Sequence, residues 1–167
     1  MDRFHKTCLE ILEQREYEIL NQDEDKIIGI KGGKKICVIL SVIPKFNVDR
    51  IEECISFINK LDIKHAIIIY ADNITSVAKT MVENLKDIKL ELFNIDELQY
   101  NITKHKLVPK HTRLTDEEAT IFKKTQGIKF GSILRTDPIS RFYGYERGDI
   151  IKVTRTGGIV TYRIVRG

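Results

Sequence analysis

Cysteine is scarce in this sequence, and the few thiols are not spaced as ligands. Cys8, Cys37 and Cys54 are far apart, each lies within an apolar pattern, and no CxxC pair occurs. Zinc ribbons and disulfide frameworks need thiols at close, repeated spacing. We therefore expect three buried free thiols and no metal site. The histidines also lack metal-binding spacing; they stand at His5, His65, His105 and His111.

Long apolar runs and catalytic signatures are missing as well. The longest apolar run, residues 36–43, is strand-sized and is interrupted by Ser41, so it is too short to span a bilayer. The N-terminus has no hydrophobic signal core. No P-loop, GxGxxG, HExxH or GxSxG motif occurs. We expect a protein without catalytic residues, cofactor, small-molecule substrate or membrane attachment.

Positive charge is concentrated in the second part of the chain. Residues 105–167 hold 13 Lys and Arg against 6 Asp and Glu, whereas residues 1–104 hold 15 against 18. The net charges are therefore +7 and −3. A basic domain suits an acidic partner or nucleic acid, because charge steers association. A basic solvated surface without a partner is the alternative.

The first part of the chain alternates between helical and strand patterns. Apolar residues at helical spacing predict a helix over 2–20, with Arg15 on its solvated face, and then a loop over 21–25. Residues 36–43 are apolar on both faces and predict a central strand, which Pro44 would end. Other strands are predicted over 26–30, 66–70 and 88–93, a short helical turn over 95–98, and helices capped by Asn47 and Asn73. This order predicts an α/β domain, a mixed sheet flanked by helices.

The second part carries a capping box and a hairpin signal. Thr115 and Glu118 form the box, and the helix that they start should run to about residue 125 and stop at Gly127. Strands are predicted over 149–155 and 159–165, joined by a glycine-rich turn. Together these signals predict a small α+β domain, joined to the first by a short ordered connection.

A shorter helix is predicted between these two signals. The Asp137 side chain can accept from first-turn amides, and Pro138 fits the first helical position without losing a hydrogen bond. Gly144 can end the helix in the left-handed conformation, which a residue with a Cβ resists.

Five segments of the second part share their order and spacing with a known family. They are LVPKH at 107–111, LTDEE at 114–118, DPISRFYG at 137–144, RGDIIKV at 147–153 and TYRIV at 161–165. The set resembles the assembly domain of the fifth-largest-subunit family of eukaryotic RNA polymerases. In archaeal polymerases the same domain stands alone as a small separate polypeptide.

The first part is similar to the N-terminal jaw domain of the same family, whose fold is related to restriction-type nucleases. The matching segments are 66–70, 76–79 and 97–111, the last of which crosses the domain junction. The jaw is shortened here between the first helix and Asn47. The resemblance therefore implies a jaw-like domain at 1–104 and an assembly domain of the archaeal type at 105–167.

The resemblance also implies a function. The chain would be a non-catalytic structural subunit of a multisubunit DNA-directed RNA polymerase that supports transcription. Its second domain would dock on the largest subunit, among other polymerase subunits. Its first domain would form part of the lower jaw near downstream DNA and touch it weakly or indirectly. The location would be the nucleus, or a cytoplasmic virus factory and the virion if a large DNA virus encodes the chain.

Eight residues are candidates for the partner interface. Arg141 would make contact, since Arg and aromatic residues are enriched in interface cores, while Pro138 and Gly144 would shape the backbone. His111 is expected to be a hydrogen-bonded structural or interface histidine. The last strand is a natural edge for pairing with a partner, or it simply ends the domain's own sheet. The candidates are His111, Asp137, Pro138, Arg141, Gly144, Arg147, Tyr162 and Arg163.

Two other functions remain open. A free-standing nucleic-acid-binding module would use the basic second half. A nuclease would need carboxylates and a lysine on core strands, and residues 36–43 offer neither. The nearest acidic residues, Asp23, Glu24 and Asp25, precede Lys26 in a predicted loop.

The predicted hairpin tip in the first part contains three lysines, Lys31, Lys34 and Lys35. A tight turn between strands cannot direct helix amides at a phosphate, so it is not a phosphate-binding loop. The lysines are instead possible non-specific contacts to a DNA backbone.

Overall fold

A long strand, β3 (Lys34–Phe46), lies in the middle of a five-stranded sheet. Its neighbours are β2 (Lys26–Lys31) and β4 (His65–Ile74), and the outer strands are β1 (Glu18–Gln22) and β5 (Lys89–Asn94). β1, β2 and β3 run antiparallel, whereas β3, β4 and β5 run parallel. The predicted mixed sheet with its central strand is confirmed.

Helices cover both faces of this sheet. They are α1 (Arg3–Gln14), α2 (Val48–Lys60) and α3 (Ser76–Glu83), and the predicted helical turn is a 3₁₀ helix at Ile95–Leu98. Parallel neighbours need crossover connections, which α2 and α3 supply. The result is the predicted α/β domain.

The chain consists of two units, Met1–Tyr100 and Asn101–Gly167, and the computed structural model describes residues 2–126 and 130–167. The predicted domain boundary, between residues 104 and 105, falls in the second unit at the end of a 3₁₀ helix, Ile102–Lys104. The predicted helix stop at Gly127 lies outside the described residues. In the part of the chain that is described, no helix combines the length and the apolar character needed to cross a bilayer.

One face of the first sheet packs on α2 and α3. Ile39 of β3 and Ile68 of β4 meet Ile51 of α2 in a single buried cluster, which also includes Cys37 and Cys54. Each fully buried aliphatic side chain of this kind contributes roughly 1.5–3 kcal/mol. All three cysteines are buried free thiols, as predicted.

The opposite face carries a buried ion network. Arg15, directly after α1, donates two hydrogen bonds of 2.8 Å to the Glu91 carboxylate on β5, and His65 Nε2 lies 2.6 Å from the same carboxylate. The side chains of Arg15 and Glu91 are only 5% and 13% exposed. Burial alone would raise the pKa of Glu91, but the charge of Arg15 and the hydrogen bonds outweigh it and hold that pKa below its ordinary value. The placement of Arg15 on a solvated face was wrong.

The first helix is shorter than predicted because a left-handed residue ends it. Glu16 has φ 69°, its amide donates to the Glu13 carbonyl, and the Tyr17 amide donates to the Leu12 carbonyl. This is the Schellman arrangement, which usually places glycine at the left-handed position. No glycine stands there, so the residue types carry no stop signal, and β1 was missed inside the predicted helix and loop.

Two predicted boundaries in the first unit were also wrong. Pro44 does not end β3, because pairing with β2 stops at Ile39 and the strand continues beside β4 alone, with register irregularities. Proline is tolerated where no neighbour needs its amide. Asn73 lies inside β4, and the Thr75 side chain caps α3 instead by accepting from Ala78. The Asn47 cap of α2 is confirmed.

The second unit is built on a four-stranded sheet. Its strands are β6 (Lys110–Arg113), β7 (Gly131–Leu134), β8 (Ile150–Thr154) and β9 (Val160–Arg166), in the order β6-β8-β9-β7. Its helices are α4 (Asp116–Gln126) and α5 (Pro138–Tyr143). The α+β class, both helices and the β8–β9 hairpin are confirmed. The Thr115 hydroxyl accepts from the Glu118 amide at 3.2 Å, as the capping box predicts.

The predicted hairpin is the middle of a larger sheet. β6 reads Lys-His-Thr-Arg and has no apolar alternation, while β7 has only four residues, so neither gave a strand signal. β7 runs parallel to β9. The last strand therefore has a neighbour on each side, and the expectation that it offers a free edge to a partner was wrong.

We predict that Glu91→Gln lowers the free energy of unfolding by about 3–5 kcal/mol, because it leaves Arg15 buried without its counter-ion. The matched control is Glu53→Gln, which removes an exposed partner of Arg50 and should cost at most about 1 kcal/mol. Urea unfolding of the three proteins measures both values. Equal losses in the two variants would contradict a buried, stabilising pair.

The difference in free energy of unfolding between wild type and Glu91→Gln should also depend on pH. An unfolded glutamate titrates near about 4.3, and the folded-state pKa of Glu91 is lower, so its contribution is complete above that value and is lost as the pH falls through the folded pKa. Below about pH 4 the difference between the free energies of unfolding of wild type and Glu91→Gln should shrink as the pH falls. A difference that grows below about pH 4 would contradict the assignment.

Candidate functional site

One face of the second sheet gathers basic side chains over an apolar floor. The register places His111 of β6 opposite Val153 of β8, and Val153 opposite Thr161 of β9. In the next row Arg113 and Arg163 flank Ile151. Directly paired residues point to the same side of a sheet. We call the surface formed by His111, Arg113, Ile151, Val153, Thr161 and Arg163 the His111 face.

Helix α5 packs on the apolar residues of this face. Ile139 and Tyr143 of α5 pack against the buried cluster that contains Ile151, Val153 and Val165. The helix begins as predicted, with the Asp137 side chain accepting from the Ile139 amide at 2.9 Å and Pro138 in the first turn. It ends as predicted at Gly144, which has φ 68°.

His111 is held in a defined orientation. Its Nδ1 lies 2.8 Å from the Pro109 carbonyl oxygen, to which it donates a hydrogen bond. Burial lowers the pKa of His111 most; the hydrogen bond to Pro109 and the charge of Asp137 oppose this, and the charges of Arg163 and Arg155 add to it. A neutral ring with Nδ1 protonated leaves Nε2 as a hydrogen-bond acceptor. The expectation of a hydrogen-bonded histidine is confirmed.

The Arg163 side chain runs along the sheet towards β7. Its Cγ lies 3.8 Å from the position that a Cβ would take on Gly131, the residue paired with it across the two strands. The missing side chain of Gly131 leaves space beside the Arg163 stem, whose guanidinium lies within electrostatic range of His111. The structure thus brings His111, Asp137 and Arg163 within electrostatic range of one another.

The other candidates lie elsewhere in the second unit. Tyr162 points to the opposite face of the sheet, where its ring centroid lies 4.3 Å from that of Phe122 on α4, so it is part of the domain's own packing. Arg147 is exposed in the turn before β8. Arg141 is half-buried on α5 and makes contacts of its own within the protein, and Pro138 is exposed.

Two arginines of this region were missed by the sequence analysis. Arg113 belongs to the His111 face, and its Nη1 lies 3.7 Å from the Asp149 carboxylate, a weak pairing. Arg155 lies two residues after Val153, and its charge acts on His111. Alternation along β6 and β8 would have revealed both, had β6 been recognised as a strand.

The three lysines at the hairpin tip of the first unit differ in their contacts. Gly32 and Gly33 form the predicted turn, both with positive φ. The Lys31 ammonium donates to the Arg15 carbonyl at 2.8 Å, so this lysine is held by the protein itself. Lys34 and Lys35 are exposed. Lys34 and Lys35 therefore present their charges at the tip.

The acidic segment before β2 forms a turn. The Asp23 carboxylate accepts from the amides of Asp25 and Lys26 and from the Lys26 ammonium, at 2.8–2.9 Å. These bonds lower the pKa of Asp23, the Lys26 side-chain bond most. Among residues 2–126 and 130–167, no three His, Cys, Asp or Glu side chains come together as a metal-binding group. Asp23 is thus used to close a turn.

Comparison with known proteins gives matches to RNA polymerase subunits. The family model described as RNA polymerase Rpb5, C-terminal domain, matches residues 100–165. A Dictyostelium discoideum protein named as subunit rpabc1 of DNA-directed RNA polymerases I, II and III is 31% identical over 187 aligned positions, covering 97% of this chain and 95% of its own length. A putative DNA-directed RNA polymerase subunit, 454R, of Invertebrate iridescent virus 6 is 32% identical over 176 positions, covering 94% and 95%.

A plant relative matches a shorter stretch. DNA-directed RNA polymerase V subunit 5A of Arabidopsis thaliana is 38% identical over 94 residues, which is 54% of this chain and 42% of the relative. The Dictyostelium and viral relatives, matched over nearly their whole length, define a class of polymerase subunits. The chain belongs to the Rpb5 family of DNA-directed RNA polymerase subunits.

Both alignments are longer than this chain. They extend over 187 and 176 positions, whereas the chain has 167 residues. Both relatives therefore carry residues within the aligned region that have no counterpart here.

We predict that Arg163→Gln raises the pKa of the His111 ring, because it removes a nearby positive charge, and that Asp137→Asn lowers it. Arg166→Gln is the control, since Arg166 lies on the same strand but on the opposite face. NMR titration of the ring proton signals measures all three. Identical pKa values in wild type and the first two variants would contradict the grouping of these side chains.

Proposed function

We propose that this chain is a non-catalytic structural subunit of a multisubunit DNA-directed RNA polymerase, docked through its second unit on the largest subunit. The first unit forms part of the lower jaw near downstream DNA. The observation that carries the proposal is the match of nearly the whole chain, both units included, to polymerase subunits. The polymerase acts in the nucleus, or in a virus factory if the chain is viral.

The His111 face is the docking surface in this proposal. Half-buried His111 and Arg163 and exposed Arg113 present polar groups there, above Ile151 and Val153, which are buried within the unit itself. Arginine beside apolar area is typical of interface cores, because the guanidinium binds carboxylates in two places while its stem covers apolar surface. The net charge of +7 on residues 105–167 favours an acidic partner surface.

A structural role also agrees with the chemistry of the first unit. Its central strand β3 carries no Asp or Glu, and the acidic segment before β2 is used to close a turn. In the proposed assembly the chemistry of RNA synthesis belongs to other subunits. The part that faces DNA is the β2–β3 hairpin, where Lys34 and Lys35 are exposed.

Docking is tested by Arg163→Glu, which reverses the charge of one arginine of the His111 face. We expect recovery of the largest subunit with the tagged chain to fall at least about tenfold, the change produced by about 1.4 kcal/mol. Arg166→Glu is the matched control on the other face of β9, and its recovery should equal that of wild type. Thermal unfolding checks that both variants fold, and equal recovery of the two variants would overturn the assignment of this face.

Contact with DNA is tested by the double variant Lys34→Gln/Lys35→Gln in assembled polymerase. Each lost phosphate contact lowers the slope of log affinity against log salt by about 0.9, so the slope should fall by up to about 1.8. The control is Lys45→Gln/Lys79→Gln, which removes two exposed lysines away from the hairpin. Equal slopes for both double variants would remove the hairpin from the DNA path.

A further inference from the structure

Strand β6 has one paired edge and one open edge within its sheet. It is the outermost strand, with β8 as its neighbour. The Leu114 amide, at the end of β6, donates to the Ile150 carbonyl at 2.9 Å. Hydrogen-bonded pairs recur at every second residue of an antiparallel ladder. Lys110 and Thr112 therefore also turn their backbone groups towards β8.

The pairing of β8 with β9 confirms this alternation. The Val165 amide donates to the Asp149 carbonyl at 2.9 Å, and the Arg155 amide donates to the Ile159 carbonyl at 2.8 Å. The odd-numbered residues of β8 thus turn their backbone groups to β9. Its even-numbered residues are left for β6, in agreement with the bond from Leu114 to Ile150.

It follows that His111 and Arg113 turn their N–H and C=O groups to the open edge. Within the described residues, no backbone hydrogen bond from a turn or loop reaches either of them. The edge thus offers two donors and two acceptors in the spacing that an added strand requires.

The side chains along this edge are almost all basic. Lys110, Thr112 and Arg113 are exposed, and His111 is half-buried between them. Lys152, paired with Thr112, adds a further cation on the face opposite to His111. A strand added here would meet cations on both of its faces, so carboxylates at alternate or successive positions would be stabilised.

We propose that a polymerase partner adds an extended, carboxylate-bearing segment to β6, pairing with the backbone of His111 and Arg113. The inference rests on the proposed function, because the segment belongs to a polypeptide of the same polymerase. It goes further by naming how that polypeptide is held: by main-chain pairing for affinity and by the basic side chains for selection.

A polypeptide fits this edge better than a nucleic acid does. The carbonyl oxygens of His111 and Arg113 need hydrogen-bond donors, and a peptide backbone supplies N–H groups at the matching spacing. A phosphodiester backbone has acceptors only, so it would pair with the two amides but not with the two carbonyls.

An alternative explanation of these charges is that they protect the edge from pairing with other chains, but the sheet supports this explanation less well. Charged side chains on an edge strand can serve to discourage pairing with other chains. The other outer strand, β7, reads Gly-Ser-Ile-Leu and carries no charge, although Leu134 is exposed. The sheet does not use charge as a general device for its edges, so the basic residues of β6 point to a partner.

The test compares Arg113→Pro with Arg113→Ala in the full chain, co-expressed with the largest polymerase subunit. Both variants lose the charge, but only proline removes the outward amide, which β8 does not use. One lost hydrogen bond predicts an affinity about fivefold weaker for Arg113→Pro than for Arg113→Ala. Equal affinities of the two variants, at unchanged thermal stability, would overturn the strand pairing.

A second measurement does not depend on the folding of any variant. Residue-resolved hydrogen exchange of the wild-type chain, free and in the purified complex, should show the His111 and Arg113 amides slowed at least about tenfold on assembly, as expected for newly hydrogen-bonded amides. Unchanged exchange at both amides would contradict the inference while leaving docking intact. Recovery of the largest subunit that disappears after nuclease treatment would also contradict the inference. Failure of the wild-type chain to recover the largest subunit at all would overturn the proposed function itself.

Discussion

The second unit depends on the alternating hydrogen bonds of β8, the strand that lies between the basic edge strand β6 and the last strand β9. The odd-numbered residues of β8 bond to β9 and its even-numbered residues to β6, while Ile151 and Val153 point to the side covered by α5. This register places His111 and Arg163 on the same side of the sheet. A slip of one residue would turn the whole basic set to the opposite face, so the register of a buried strand determines the site.

The first unit is organised by burial instead. Residues 36–40 of β3 are buried; α2 and α3 pack on one face of the sheet, and Arg15 and Glu91 lie on the opposite face. The ion network fixes the position of the end of α1 relative to β5. A domain built around one buried sheet agrees with the structural role proposed above.

Much of this fold could be predicted from the sequence. Apolar runs and caps revealed β3, α2, α5 and the β8–β9 hairpin because burial and local hydrogen bonds determine those elements. The elements that were missed lack such signals: β1 follows a helix ended by left-handed Glu16, and β6 is polar throughout. Strand pairing across long sequence separations created them. The candidate site shows the same division, since His111, Asp137 and Arg163 were named from the sequence and lie together, whereas Arg113 and Arg155 became visible only through the register of β6 and β8.

The central claim, membership of a polymerase through docking on its largest subunit, is tested most directly by purifying the tagged chain from its native source at moderate salt. The co-purifying proteins are identified and quantified by mass spectrometry. We expect the two largest polymerase subunits at near-equal stoichiometry with the chain. Recovery of the chain alone, or with nucleic acid only, would contradict the claim.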